Sequence, residues 1–135
     1  MLRSAGIEPV VIASGADESH LRGEDAVAMT ARLSRLKAHS VIESGALEEY
    51  PADRMIVVAC DSVLNLDGRI LGKPHTAERA RQWWRQMRGH QGVLVSGHHV
   101  AVIVNGQLRE QTRIGQTVVT FADLTDAEIN ALSLI

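Results

Sequence analysis

The sequence contains few residues of the kinds that mark disulfide-rich, zinc-binding and base-stacking proteins. Its 135 residues include one cysteine, two tryptophans, one tyrosine and one phenylalanine. A single cysteine excludes an internal disulfide framework and a multi-cysteine zinc site, and it is consistent with a reducing compartment. The scarcity of aromatic residues argues against a surface on which single-stranded nucleic acid stacks.

Long apolar runs and an excess of one charge are also lacking. No apolar stretch approaches the roughly 18 residues of a membrane-spanning helix, and the N-terminus has no sustained apolar core of a signal peptide. The net charge is −2, with 14 basic and 16 acidic residues interspersed, so nothing indicates a nucleic acid polymer or a membrane as partner. We therefore expect a soluble cytoplasmic protein.

Residue patterns predict alternating helices and strands without repeats or linkers, which is typical of one α/β domain. The patterns predict the end of a helix capped by Gly6, a strand over Glu8–Ser14, a helix from Asp25 to about Glu43, a helix capped by Thr76 and running to Arg88, strands over Val93–Val104 and Gln111–Phe121 with a hairpin at Asn105-Gly106, and a capping box over Thr125–Glu128.

The centre of the chain is the stretch Met55–Pro74. It begins with an apolar run, Met55–Cys60, whose composition predicts a strand buried on both faces. Asp61 is its first charged residue and is expected where the strand leaves the core. Asp67-Gly68 then predicts a tight hairpin, because these residues tolerate the positive φ angles that the turn requires. The hairpin would return Lys73 to the side of Asp61.

Asp61 and Lys73 each have two interpretations. A carboxylate at the end of a buried strand lies where open α/β sheets place their ligands, but an Asp there also caps turns, and position alone favours neither. Lys73 follows Gly72 and precedes Pro74, which suits a cation that contacts phosphate. Its alternative is a solvated loop lysine, the commoner fate of lysines.

The long predicted helix carries a basic segment, Arg32–Lys37, without any acid. Arg35 and Lys37 are two residues apart and diverge by about 200°, whereas Ser34 and Lys37 can share a face. Such a patch beside Asp61 would suit a polyphosphate with its metal, although a solvated face is a serious rival. In the turn before this helix, Glu18 is a candidate second carboxylate for a divalent cation.

Several other residues are predicted to be structural, or, for His98 and His99, structural or on the surface. His98 and His99 are consecutive on a strand and point to opposite faces, so they cannot both bind one metal as a simple pair. Cys60 is predicted to be a small core residue, and its acidic neighbour would raise rather than lower the thiol pKa. Trp83 and Trp84 are expected to pack, with at most one of them facing the core.

The order of these segments resembles the Maf family of nucleoside triphosphate pyrophosphatases. The matching residues are Asp17-Glu18, Ser34-Arg35 with Lys37-Ala38, Cys60-Asp61-Ser62-Val63, Asp67-Gly68 with Ile70-Leu71-Gly72-Lys73-Pro74, Met87-Arg88-Gly89-His90, Ser96-Gly97 and Phe121-Ala122-Asp123-Leu124. The match runs in order along nearly the whole chain, and the segment from Asp61 to Pro74 is its most specific part.

The resemblance implies hydrolysis of a non-standard or pyrimidine nucleoside triphosphate to monophosphate and pyrophosphate, with a house-cleaning role. It implies a divalent cation, Mg²⁺ or Mn²⁺, held by Asp61 and Glu18, and Asp61 as the proton acceptor. It assigns phosphate or substrate contacts to five residues: Ser34, Arg35, Lys37, Ser62 and Lys73. A catalytically inactive nucleotide-binding or interaction remnant of the family is the alternative function.

The resemblance also implies a Maf/ITPase-like fold, a mixed twisted sheet flanked by helices with a central cleft. Members of the family begin with an apolar strand and a Ser-rich loop, and they continue into a Tyr/Gly-rich segment, neither of which matches this chain. We therefore expect a single domain over residues 1–135 that lacks both parts and has an unpaired sheet edge. A homodimer is a candidate assembly, because members of the family are often dimers.

Overall fold

A four-stranded sheet forms the centre of the structure, a computed structural model that describes residues 1–132. The elements are α1 (Ala26–Glu43), β1 (Arg54–Leu66), β2 (Arg69–Leu71), α2 (Ala77–Met87), β3 (Gln91–Val104), β4 (Gln107–Thr120) and α3 (Asp126–Leu132), with short 3₁₀ helices at Arg3–Ala5 and Ala46–Glu49. The strands lie in the order β2-β1-β3-β4. The α/β class is confirmed. The sheet, however, is antiparallel at every pairing of the described strands rather than mixed.

Two tight hairpins account for part of this antiparallel topology. Asp67 and Gly68 have φ angles of 49° and 82° between β1 and β2, and Asn105 and Gly106 have 49° and 79° between β3 and β4. Positive φ at both central residues gives the turn whose twist matches that of antiparallel strands. Both predicted hairpins are thus confirmed, and β4 begins four residues earlier than predicted because the second turn is so short.

Helix α1 covers one face of the sheet and lies unusually close to β3. Its N-cap is Asp25, whose carboxylate accepts a hydrogen bond from the Ala28 amide at 2.8 Å. A Cβ added at Gly97 would lie 2.2 Å from the carbonyl oxygen of Thr30, so only glycine allows this approach. The core between α1 and the sheet consists of Ala26, Met29, Leu33, Val63 and Val95.

Helix α2 packs on the opposite face, near β2. Met87 of α2 is buried with Leu66 and Leu71, and Trp83 and Trp84 pack against this cluster. Trp84 also meets Phe121 edge-on, with ring centroids 5.7 Å apart. The two tryptophans are therefore packing residues, as the sequence indicated, but both pack against the core cluster, so the expectation that at most one faces the core is wrong.

The apolar run at the start of β1 differs from the prediction. Ile56 and Val58 are 68% and 47% exposed, and Cys60 is exposed as well, so the prediction of a strand buried on both faces, with Cys60 in the core, is wrong. The reason is that α2 covers the outer face of the sheet only near β2. The prediction that Asp61 ends the strand is also wrong, because β1 continues to Leu66.

The N-terminal segment differs too. The predicted strand over Glu8–Ser14 does not form, and the chain there has no regular secondary structure. One edge of β1 pairs with β3 along its length. Along the other edge, among the described strands, only β2 pairs with β1, at residues 64–66, so the first ten residues of β1 have a free edge. No helix among residues 1–132 is long and apolar enough to cross a membrane.

Candidate active site

The ammonium group of Lys37 joins two carboxylates that the sequence places far apart. Lys37 Nζ lies 2.6 Å from Glu18 Oε1 and 2.9 Å from Asp61 Oδ1. It also donates to the carbonyl oxygen of Cys60 at 3.4 Å. The cluster therefore combines the segment before α1, the middle of α1 and the middle of β1.

The positions of these side chains follow from strand alternation and the placement of α1. Asp61 and Val63 point to the same face of β1, because side chains two residues apart in a strand share a face. Val63 packs in the core under α1, so Asp61 also faces that helix. The side chains of Asp61 and Lys37 are only 12% and 19% exposed, whereas Glu18 is 49% exposed and forms the outer side of the cluster.

The charges in the cluster stabilise one another. Burial acts to lower the pKa of Lys37, but its hydrogen bonds to Glu18 and Asp61 outweigh burial and raise that pKa above 10.5. The hydrogen bond from Lys37 lowers the pKa of Glu18 below 4.5 against the effect of burial, and the charges of Lys37, Lys73 and His75 lower it further. Lys37 is thus a cation and Glu18 an anion at neutral pH.

One oxygen of Asp61 has no hydrogen-bond partner. Among residues 1–132, Asp61 Oδ2 is the buried side-chain nitrogen or oxygen atom that lacks a hydrogen-bond partner. A buried carboxylate oxygen without a donor is unfavourable unless a ligand or ion satisfies it. Together with Glu18 it offers the oxygen donors that Mg²⁺ and Mn²⁺ prefer, so these residues fit a divalent cation.

A groove of about 680 Å³ leads to the cluster. It lies between the N-terminal segment, α1 and the free edge of β1. Glu18, Lys37 and Cys60 line one part, and apolar residues such as Val10, Val41 and Val57 line the rest. Ligand pockets in proteins are commonly about 300–1,000 Å³ and mostly apolar with a few polar groups, and this groove has that character.

Of the predicted site residues, Glu18, Lys37 and Asp61 come together, and Lys73 is close enough for its charge to affect Glu18. Lys73 itself is exposed, and the hydrogen-bond partner of Asp61 is Lys37. Asp61 faces α1, and β2 ends at Leu71, before Lys73.

The other three predicted contacts lie apart from this cluster. Ser34 is fully buried and donates its hydroxyl to the carbonyl of Ala31 at 3.0 Å, within its own helix. Arg35 points to the other flank of α1, where its Nη2 is 3.7 Å from Glu110 Oε1. Ser62 follows Asp61 in β1 and so points to the opposite face, where its hydroxyl lies 2.7 Å from that of Ser96.

Sequence reasoning missed a second polar cluster, made of His39, His99 and Glu110. The hairpin at Asn105-Gly106 contains a signal for it. A two-residue turn there fixes the register and sets His99 opposite Thr112, and strand alternation then puts Glu110 on the same face. The contribution of His39 from α1 has no comparable local signal.

Comparison with known proteins places the sequence in a family. The family model described as "Maf-like protein" matches residues 1–133. The chain belongs to the Maf-like family. Three similar proteins carry the name nucleoside triphosphate pyrophosphatase. They come from Cutibacterium acnes, 98% identical over 97% of this chain, Leifsonia xyli, 43% identical over 97%, and Salinispora tropica, 41% identical over 95%.

The chain spans only part of these Maf-like relatives. The match covers 62% of the Cutibacterium protein, 64% of the Leifsonia protein and 55% of the Salinispora protein. Family membership and the α/β fold of the described residues therefore hold for this chain. Its activity, substrate and partners belong to the proposal that follows.

Proposed function

We propose that this chain carries the catalytic centre of a nucleoside triphosphate pyrophosphatase. The observation that supports it is the Glu18–Lys37–Asp61 cluster, in which Glu18 and Lys37 line a groove of ligand size and Asp61 Oδ2 is unpaired. Similar proteins named for this activity add to it. The substrate class we propose is a non-standard or pyrimidine nucleoside triphosphate, in a house-cleaning role. A cytoplasmic location and a homodimer stay predictions.

In the proposed reaction, the oxygen of water bonds to the α-phosphorus and the anhydride bond to the β-phosphate breaks. The products are a nucleoside monophosphate and pyrophosphate. Asp61 accepts the proton of the attacking water, since its carboxylate is held in a fixed orientation by Lys37. Lys37 and Lys73 bring positive charge to the phosphates, and the groove gives the remainder of the nucleotide an apolar surface.

A divalent cation, Mg²⁺ or Mn²⁺, fits this proposal. Asp61 and Glu18 would hold it, and when bound it would supply positive charge that polarises the phosphates. Lys37 lies between the same two carboxylates in the structure. Its ammonium would keep the hydrogen bond to Asp61 Oδ1 and bring positive charge to the phosphates beside the cation.

The test is pyrophosphate release from a panel of nucleoside triphosphates with Mg²⁺ or Mn²⁺. We expect Asp61→Asn to lower kcat by about 10²–10⁴-fold, the usual contribution of a positioned general base. Asp67→Asn is the matched control, because Asn is equally suited to that hairpin turn. If the folded wild type and Asp61→Asn are equally inert, the proposed activity is wrong for this chain.

A binding protein without activity is the second candidate. The observation that favours it is that Lys37 is already neutralised by two carboxylates, so the cluster is satisfied in part without any ligand. Calorimetry decides between the two functions. Nucleotide binding that Lys37→Met abolishes, with no pyrophosphate released, would support the binding protein.

A further inference from the structure

Three side chains from three different elements meet on the flank of α1 away from Asp61. His39 lies on α1, His99 on β3 and Glu110 on β4. The Nε2 atoms of His39 and His99 are 2.6 Å and 2.9 Å from the same oxygen, Glu110 Oε2. One ligand atom from each residue lies within 4.8 Å of the others, so the three converge on one point.

The remaining nitrogen of each imidazole has an outer partner. His99 Nδ1 is 2.7 Å from the hydroxyl of Thr112, and His39 Nδ1 is 3.5 Å from Glu43 Oε1. For His99 this is the arrangement found around metal-binding histidines, where an outer hydrogen bond fixes the tautomer and turns the other nitrogen to the metal. His99 is also 1% exposed, so packing holds its ring in place.

We propose that His39, His99 and Glu110 form a binding site for a divalent transition metal, with Zn²⁺ as the best fit. Two imidazoles and one carboxylate are ligands that Zn²⁺ takes, and a solvent molecule would complete a tetrahedral set. This site is independent of the proposed pyrophosphatase activity. Its ion differs from the one proposed for Asp61, because imidazole nitrogens suit Zn²⁺ while carboxylate oxygens alone suit Mg²⁺ and Mn²⁺.

The distances are compatible with this ion. Ligand atoms about 2.1 Å from a tetrahedral Zn²⁺ are about 3.4 Å from one another. The observed distances of 2.6 Å and 2.9 Å are those of hydrogen bonds, so the metal requires the Glu110 oxygen and the two imidazole nitrogens to separate by roughly 0.5–0.8 Å. Glu110 and His39 can move, because their side chains are 26% and 25% exposed, and that exposure also provides an entry path.

Charge around the site is balanced. Arg35 Nη2 lies 3.7 Å from the other carboxylate oxygen, Glu110 Oε1, and its side chain is 62% exposed. Arg35 can therefore turn into solvent when a cation binds. The bound metal would link α1, β3 and β4. It would be a structural connection on the side of α1 opposite the Glu18–Lys37–Asp61 cluster.

The test is metal binding by the chain after removal of bound metals with a chelator. Co²⁺ titration followed by visible absorption reports the coordination, and Zn²⁺ competition with a chromophoric chelator reports affinity. We expect one tight Zn²⁺ per chain, with its Kd raised at least 100-fold in His39→Ala and in Glu110→Gln. Thermal unfolding should shift upward with Zn²⁺ in the wild type and not in these variants.

Two controls make the result specific. His98→Ala removes the neighbouring histidine on the opposite face of β3, and Asp61→Asn removes the carboxylate of the other cluster; neither should change this Kd. The proposal is overturned if the wild type binds Zn²⁺ no better than the His39→Ala variant. It is also overturned if binding is lost in either control instead. His39→Ala and Glu110→Gln replace partly exposed side chains. Circular dichroism of each variant checks that it is folded.

Discussion

The pairing of Lys37 with Asp61 can be tested by replacing the lysine with methionine, which keeps the length of the side chain and removes its charge. The variant leaves Asp61 with two unpaired oxygens, since Oδ2 already has no partner. Removing one member of a buried ion pair costs about 3–5 kcal/mol, and an exposed pair contributes about 0–1 kcal/mol. With side chains 19% and 12% exposed, we expect Lys37→Met to lower the free energy of unfolding by about 2–3 kcal/mol.

The double variant distinguishes the ion pair from simple loss of packing. Asp61→Asn in the Lys37→Met background removes the unpaired charge, so it should restore about 1–2 kcal/mol. Urea unfolding at pH 7 gives the free energy of unfolding of the wild type, Lys37→Met, Asp61→Asn and the double variant. Lys73→Met is the matched control, because that lysine is exposed. The reasoning is refuted if Lys37→Met is as stable as Lys73→Met, or if the two substitutions simply add.

The pH dependence of the same pair has a definite sign. The pKa of Lys37 in the folded chain lies above the ordinary 10.5. Its contribution to the free energy of unfolding is therefore fully present below pH 10.5 and is lost as the pH rises through the raised pKa. Alkaline unfolding of the wild type should be steeper than that of Lys37→Met in this range.

Three further predictions concern the positions that hold the fold around the two clusters. Gly97→Ala would set a Cβ 2.2 Å from the Thr30 carbonyl and should destabilise the chain by about 2 kcal/mol or more in urea unfolding, whereas Gly115→Ala, with its nearest neighbour 3.8 Å away, should be nearly neutral. Hydrogen bonds to His39 and His99 lower the pKa of Glu110 below 4.5, so stability should fall as the pH drops from 4.5 through the lowered pKa, and Glu110→Gln should flatten that part of the profile. Thr125→Ala breaks a capping box with bonds of 2.8 Å and 3.3 Å and should lower the unfolding free energy by about 1 kcal/mol.

The helices, turns and caps could be predicted because their signals are local. Thr76 caps α2 as expected, α1 begins directly after Asp25 close to the predicted start, and both Asp-Gly and Asn-Gly turns form. The burial of Met55–Cys60 could not be predicted, because an apolar run does not specify whether a helix covers each face of its strand. Glu8–Ser14 has strand composition, but a strand also needs a neighbour with which to form hydrogen bonds.

The site residues show the same contrast between features with a local signal in the sequence and features that depend on how the elements pack. Asp61 and Lys37 were identified by residue type and by family resemblance, but their direct contact depends on how α1 lies over β1. The hairpin is a local signal, and it brings Lys73 close enough for its charge to act on Glu18. The lysine that contacts Asp61 lies 24 positions earlier in the chain, and no local signal predicts that contact.

Helix α1 explains why the two clusters stay separate although Lys37 and His39 are two residues apart. Two residues along a helix correspond to about 200°, so these side chains point to opposite flanks. Lys37 reaches Asp61 on β1, while His39 reaches Glu110 on β4. Gly97 lets the backbone of α1 at Thr30 approach β3 closely, and this contact contributes to the height of the helix above the sheet. The position of α1 over β3 is therefore the structural condition that both proposed sites share.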